Sequence, residues 1–343
     1  MVYFLNRLIE KINGDKVINK TILITGVAGF IGMHSALKFL LEGYTVVGVD
    51  NINSYYDTKL KHKRLQCLIK YKNFIFFKEN VSLFKKIENI FFKNKPNIVL
   101  HLAAQVGVRN SVKNPRLYVN TNINGFINIL ELCRKYNVKN LLYASSSSVY
   151  GNNKTIPFSE TDNVDKPINI YAASKKANEL MAYSYSHLYK INCIGLRFFT
   201  VYGPYGRPDM ALFKFVKNIS NGIPIEVYNN GKQKRDFTYI DDVVESIFLI
   251  ARKCEKNFQS KNSVFFKIFN IGFGKPLNLM SFIKLIEKEL SIQAKLKLIS
   301  NQDGDMKITF SNTSLLEKWI LYKPKVPISE GIKKFVKWYL AQN

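Results

Sequence analysis

Short apolar runs alternate with amphipathic stretches through the first half of the chain. TILIT at Thr21–Thr25 leads into the glycine turn GVAGFIG, Gly26 to Gly32, and then into HSALKFLLEG, a predicted helix ending at Gly43. YTVVGVD predicts a second strand closing on Asp50, and NFIFFKENV a third. A helix from Leu83 to Phe92 precedes NIVLHLAA, the fourth strand, and a helix from Arg116 to Tyr136 precedes NLLYASSS, the fifth. AASKKANELMAYSYSHL reads as a helix before the sixth strand, INCIGLRFF. Nearly continuous apolar strands alternating with helices imply a parallel sheet covered on both faces. The fold class is therefore α/β, a doubly wound sheet of the Rossmann type.

Past the sixth strand the pattern loosens. Gly, Pro, Asn and Tyr accumulate through VYGPYGRPDM and IPIEVYNNGKQKRDFTY, although VFFKIFNIG reads as a return to the sheet and SEGIKKFVKWYL as a closing helix. We expect an N-terminal extension over 1–20, a nucleotide-binding domain over 21–197 and a smaller substrate-binding lobe over 198–343 with segments returning to the sheet. The site should lie at the carboxyl ends of the strands.

The glycine turn sits between a strand and a helix, the context that gives such a pattern meaning. Gly26 and Gly29 let the backbone approach a pyrophosphate seated on the helix N-terminus, and Gly32 lets helix pack closely on strand. Asp50 ends the next strand, about 20 residues on, where an acid holds an adenosine ribose hydroxyl and repels a 2′-phosphate. These features point to NAD rather than NADP. Tyr171 and Lys175 are four apart on a predicted helix, hence on one face. An ammonium there favours phenolate and would pull the tyrosine toward working pH as a general base. Ser145, Ser146, Ser147 and Ser148 follow the fifth strand, where a hydroxyl can orient or relay a proton. No histidine or acid stands at triad spacing beside them, which makes a nucleophilic-serine hydrolase a poor alternative.

Composition narrows the picture further. The net charge of +26 is spread along the whole of the 343 residues and is interleaved with Asn, Ile and Phe. That is compositional bias, not a nucleic-acid stripe. It would still draw in a polyanionic substrate. No apolar run reaches the roughly 18 residues of a membrane span. The first residues lack the features of a secretory signal and read as a short amphipathic extension. Cys67, Cys133, Cys193 and Cys254 are scattered without metal or disulfide spacing, so we expect no metal and a reducing, cytoplasmic setting.

The joint pattern of Gly26–Gly32, HLAAQ at His101–Gln105, SSSSVYG and Tyr171–Lys175 resembles the extended short-chain dehydrogenase/reductase superfamily. RFFTVYGPYGRPDMA and RDFTYIDDV resemble its nucleotide-sugar epimerase branch, and AAQVGVRNS with GRPDMA is most similar to UDP-glucuronate 4-epimerases. The resemblance implies NAD as cofactor, a UDP-sugar as substrate, a homodimer formed through the 116–136 and 171–189 helices, and hydride transfer through a 4-keto sugar. It implies Tyr171, Lys175 and Ser146 as catalytic residues, with Asn122 supporting them.

For the cofactor it implies Gly26, Gly29, Phe30, Ile31, Gly32, Asp50, Asn51, Asn80, Val81, Leu102, Ala103 and Ala104, together with Tyr171 and Lys175. Asn80 stands where relatives carry Asp, so it would meet adenine through an uncharged amide oxygen. For the substrate it implies Arg109, Ser147, Ser148, Thr200, Arg207, Val227, Tyr228, Arg235 and Asp305. Arg235 would clamp the diphosphate and Val227 and Tyr228 would lie near uracil. Arg207, a planar donor, could face a C6 carboxylate with Ser147, Ser148 and Thr200. Ser147-Ser148-Val149 carries no acid for dehydration, which suits an epimerase. UDP-N-acetylglucosamine and UDP-glucose remain alternative substrates, and a catalytically silent NAD sensor is a third reading that the retained Tyr171 and Lys175 disfavour.

Overall fold

The structure, a computed structural model, describes residues 20–257, 266–300 and 308–342. The predicted extension, apart from its last residue, and Asp305 lie outside the described residues. The chain runs β1 (Thr21–Thr25), α1 (Phe30–Leu41), β2 (Thr45–Val49), α2 (Thr58–Ile69), β3 (Phe74–Phe77), α3 (Phe84–Asn94) and β4 (Ile98–His101). It continues through α4 (Val108–Lys113), α5 (Pro115–Tyr118), a π-helical turn (Val119–Asn124), α6 (Gly125–Lys135), β5 (Asn140–Ser146), α7 (Ile170–Tyr189) and β6 (Asn192–Phe198).

After β6 come β7 (Thr200–Tyr202), α8 (Ala211–Ser220), β8 (Ile225–Val227), β9 (Lys234–Tyr239), α9 (Ile240–Asn257) and β10 (Phe266–Ile271). The rest is β11 (Pro276–Asn278), α10 (Leu279–Leu290), β12 (Leu296–Leu298), α11 (Ser314–Ile320) and α12 (Ile328–Leu340).

Seven strands form one parallel sheet in the order β10-β6-β5-β4-β1-β2-β3. The strand order reverses between β1 and β4, and a crevice opens at the carboxyl ends there. Alternation across β1 sorts the two faces. Ile22 and Ile24 pack with α1, α2 and α9, while Leu23 packs with α3, α6 and α7. A separate core joins α8, α10 and α12 to β8 and β9 through Phe215, Phe237, Phe282 and Phe335. Residues beyond 198 therefore feed both cores, since α9, β10 and α11 pack with the first.

Three elements differ from the sequence expectation. Helix α2 carries Lys61 and Arg64 on its buried face beside Leu65 and Leu68, and these cations hide its amphipathic pattern. The single helix expected over 116–136 is α5, a π turn and α6 in succession. Strand β5 runs through Ser146, and only Ser147 begins the following 3₁₀ turn. Among the described residues no helix is long and apolar enough to cross a membrane.

Candidate active site

The glycine turn is built by contact with the neighbouring strand. Gly26 has φ +73°, and a Cβ there would lie 2.7 Å from the Ala103 backbone nitrogen. A Cβ on Gly32 would lie 2.1 Å from the Gly26 carbonyl oxygen. The turn thus leaves no room for side chains and brings α1 onto β1. Gly29 is the N-cap of α1 and offers no side-chain cap, and the first turn holds no acid. Its free N–H groups at Phe30, Ile31 and Gly32 face the crevice, a site for an anion.

Asp50 is 9% exposed at the end of β2. Its two carboxylate oxygens accept from Ala28 N (3.0 Å) and Ile52 N (2.8 Å). Burial pushes its carboxyl up, and those N–H groups with the Lys61 and Arg64 charges pull it back. Each oxygen keeps a lone pair for a further donor. Asn51 accepts from Asn53 N (3.1 Å) and Asn80 from Ser82 N (3.1 Å), so both amides are fixed in turns beside the crevice. Leu102, Ala103 and Ala104 leave β4 on the opposite wall, and Val81 lies under Gly125. All fourteen residues assigned to the cofactor from the sequence, Tyr171 and Lys175 included, line this one crevice. An uncapped helix start, a bare glycine turn and an acid one strand away fit a dinucleotide.

The crevice continues to Ser146, Ser147, Ser148, Tyr171, Lys175, Thr200 and Arg207. Asn169 caps α7 through Ala172 N (2.8 Å), fixing the start of the helix that carries Tyr171 in its first turn. Ser146 Oγ accepts from Ser148 N (3.2 Å), and the Ser146 hydroxyl acts on the Tyr171 phenol across the crevice. Lys175, 2% exposed, donates to the Ala144 carbonyl (2.9 Å), and burial lowers its ammonium to about 8. Burial raises the Tyr171 phenol, while Ser146 and the Arg207 charge act to lower it. This corrects the expectation for the pair. The shared helix face is present, but the cation that acts on Tyr171 here is Arg207, because Lys175 is turned to the strand.

Asn122 sits in the π turn, 1% exposed. It accepts from Gln105 N (2.7 Å), donates to Gln105 O (3.1 Å) and donates to Ser174 Oγ (2.9 Å). It therefore ties the β4 exit to α7. Behind β5, Ser145 donates to Glu179 (2.7 Å), which also receives two bonds from Arg197.

Arg207 is held by Asp209, Nε on Oδ1 (3.0 Å) and Nη2 on Oδ2 (2.5 Å), which leaves Nη1 for another acceptor. Tyr55 donates to the same Asp209 oxygen (3.4 Å). Four predicted substrate residues do not line the crevice. Arg109 lies over the Tyr228 ring at 4.6 Å, and Tyr228 donates to Glu226 (2.9 Å). Arg235 Nη1 donates to the Lys234 carbonyl (3.1 Å). Val227 is fully buried in the second core, so its side chain cannot meet uracil, and its carbonyl is taken by Ile299 N (3.0 Å). The sequence reading missed Asn53, Tyr55, Lys61, Phe198 and Met210 in the lining. Lys61 carried no signal, because it interrupts the apolar periodicity of the helix it lies on.

A bare glycine turn, an acid at the next strand end and a phenol beside a serine on one crevice define a class, and the chain belongs to the NAD dependent epimerase/dehydratase family, whose model matches residues 22–272. NAD is its cofactor. It is 48% identical over 328 residues to Protein CapI of Staphylococcus aureus, across 93% of this chain and 98% of that one. A probable UDP-glucuronate 4-epimerase of Rhizobium meliloti is 44% identical over 331 residues, 92% of this chain and 96% of its own. The crystal structure of UDP-glucuronic acid 4-epimerase from Bacillus cereus with UDP-glucuronic acid and NAD matches with a TM-score of 0.86 at 30% identity, covering 94% and 100%.

Proposed function

We propose that the protein is an NAD-dependent UDP-sugar 4-epimerase that interconverts UDP-glucuronate and UDP-galacturonate. The observation that carries the reading is the crevice itself, where Tyr171, Ser146 and Arg207 converge beyond the dinucleotide cradle. Relatives of this chain named for the same activity support it.

NAD supplies a hydride acceptor that also returns the hydride. Tyr171 takes the proton of the sugar 4-hydroxyl as C4 becomes a ketone, and gives it back when C4 is reduced on its other face. Ser146 shares that proton and holds the oxygen. Lys175 serves the nicotinamide ribose, and Gln105, Asn122 and Ser174 fix the wall opposite. Gly26, Gly29, Phe30, Ile31 and Gly32 take the pyrophosphate. Asp50 and Asn51 take the adenosine ribose, Asn80 and Val81 the adenine side, and Leu102 to Ala104 the remaining wall.

Arg207 Nη1, with Ser147, Ser148 and Thr200, receives the sugar carboxylate. Arg109, Tyr228 and Arg235, with residues near Asp305, serve the UDP end from the 198–343 lobe.

We also propose a cytoplasmic homodimer that serves surface-polysaccharide synthesis. Val112, Leu117 and Val119 are 72%, 43% and 49% exposed, and Leu180, Tyr183 and Leu188 on the adjoining α7 are 57%, 57% and 63% exposed. So much apolar surface on neighbouring helices suits a partner copy. The test of the activity is direct. Purified protein is incubated separately with UDP-glucuronate, UDP-N-acetylglucosamine and UDP-glucose, and products are resolved. Turnover of UDP-glucuronate is expected; turnover of a neutral sugar alone overturns the substrate.

A further inference from the structure

Arg64 on α2 is 0% exposed. Its Nε and Nη2 donate to the Tyr205 carbonyl (3.1 and 2.7 Å), and Nη2 also reaches the Gly206 carbonyl (3.3 Å). Its Nη1 donates to the Ala28 carbonyl (3.0 Å) and to the Tyr56 hydroxyl (2.5 Å). Every one of these acceptors is a neutral oxygen. Burying a cation is costly even with the Asp50 charge nearby, and the neutral acceptors give this guanidinium one evident use, to join the elements that carry them. On one side it joins Ala28 in the glycine turn, whose N–H is bonded to Asp50. On the other it joins the segment that delivers Arg207.

A second side chain grips that segment. His34 on α1 donates from Nε2 to the Pro204 carbonyl (3.0 Å), and burial lowers its ring to about 4, so it is neutral at physiological pH. Three successive carbonyls, at Pro204, Tyr205 and Gly206, are therefore held by two helices of the cofactor side. Tyr205 has φ +59°, a left-handed backbone that is strained for a bulky residue. Without the grip, this turn would relax and Arg207, the next residue but one, would move.

We propose that Arg64 is a positioning residue that sets the charge-recognising wall of the sugar pocket from the cofactor's glycine turn, with His34 as its auxiliary. The inference rests on the reading that Arg207 faces the sugar carboxylate. One guanidinium couples the two halves of the site, so loosening it blurs recognition of the sugar's charge and loosens the cofactor turn together.

The test is binding, measured by titration calorimetry with UDP-glucuronate and UDP-glucose on wild type, Arg64→Lys, Arg207→Met and the double variant. Lysine keeps the charge but cannot span both sides. Arg64→Lys is expected to cut the preference for UDP-glucuronate about tenfold, the low end of losing a charged hydrogen bond, and to add nothing once Arg207 is gone. NAD binding by the sugar-free protein, followed by fluorescence, should weaken in Arg64→Lys.

His34→Phe should reduce the same preference by a smaller factor, and His34→Gln, whose amide can still donate to Pro204, should restore it. This pair keeps the proposal testable should Arg64→Lys fail to fold. Equal losses on both sugars, or losses additive with Arg207→Met, overturn the proposal and leave Arg64 as packing. A wild type that does not distinguish the two sugars overturns the substrate reading and this proposal together.

Discussion

Glu179 and Arg197 form a fork-to-fork ion pair at 2.8 and 2.9 Å with both side chains 2% exposed. The pair joins α7 to β6 one turn beyond Lys175, and Ser145 adds a third bond to the same carboxylate. Arg197 also donates to the Tyr150 hydroxyl (3.0 Å), which in turn donates to Asn270 (2.6 Å) on β10. Helix α7 and the end of β5 are thereby locked in register, and with them Tyr171 and Ser146.

Glu179→Ala leaves a buried guanidinium unpaired, and removing one partner of a buried pair costs about 3–5 kcal/mol. Urea unfolding should show that loss, and Glu179→Ala with Arg197→Met should recover part of it. A loss below about 1 kcal/mol would place the pair in the class of solvent-screened pairs.

Tyr171→Phe should keep NAD and the fold yet lose turnover by about 10²–10⁴-fold, the worth of a positioned general base. Product formation from UDP-glucuronate is the readout. A change of only a few-fold would move the base elsewhere.

Lys175 gives a pH dependence with a definite sign. Burial lowers its ammonium from the ordinary 10.5 to about 8, which is worth on the order of 3 kcal/mol. Below about pH 8 both folded and unfolded states carry the proton, and burial of the charge costs stability in full. Between about 8 and 10.5 the unfolded chain holds the proton that the folded one has lost, so stability rises with pH. Lys175→Met should therefore stabilise the NAD-free protein at pH 7, and its advantage should shrink toward pH 10. An advantage that does not vary over that range would detach Lys175 from the buried charge.

Arg207→Met should raise the Michaelis constant for UDP-glucuronate about tenfold to a hundredfold more than for UDP-glucose, since contacts to UDP cancel in the comparison. The variant also leaves Asp209 without its fork, so Arg207→Met with Asp209→Asn separates lost attraction from new repulsion. Equal losses on both sugars in the double variant would assign Arg207 to the fold.

What the chain revealed before folding was what depends on local geometry. The glycine turn, Asp50, the serine strand end and the Tyr171–Lys175 spacing each specify a backbone conformation or a helix face, and each lies in the crevice. The orientation of Lys175 toward Ala144 depends on β5, far away in sequence, and no helical spacing contains it. Helix α2 escaped notice because Lys61 and Arg64 occupy positions that periodicity reserves for apolar side chains. Val227, placed by resemblance alone, lies in the three-residue strand β8, too short to show which way its side chains point.

The π turn at Val119–Asn124 works as a phase shifter. One surplus residue rotates everything before it by about 100° relative to α6. Asn122 can then address Gln105 and Ser174 while Phe126 and Ile129, a turn or two later, face the sheet. Deleting a single residue there would leave a longer, more regular helix and a disassembled wall, so this helical stretch tolerates substitution at its surface but no change of length.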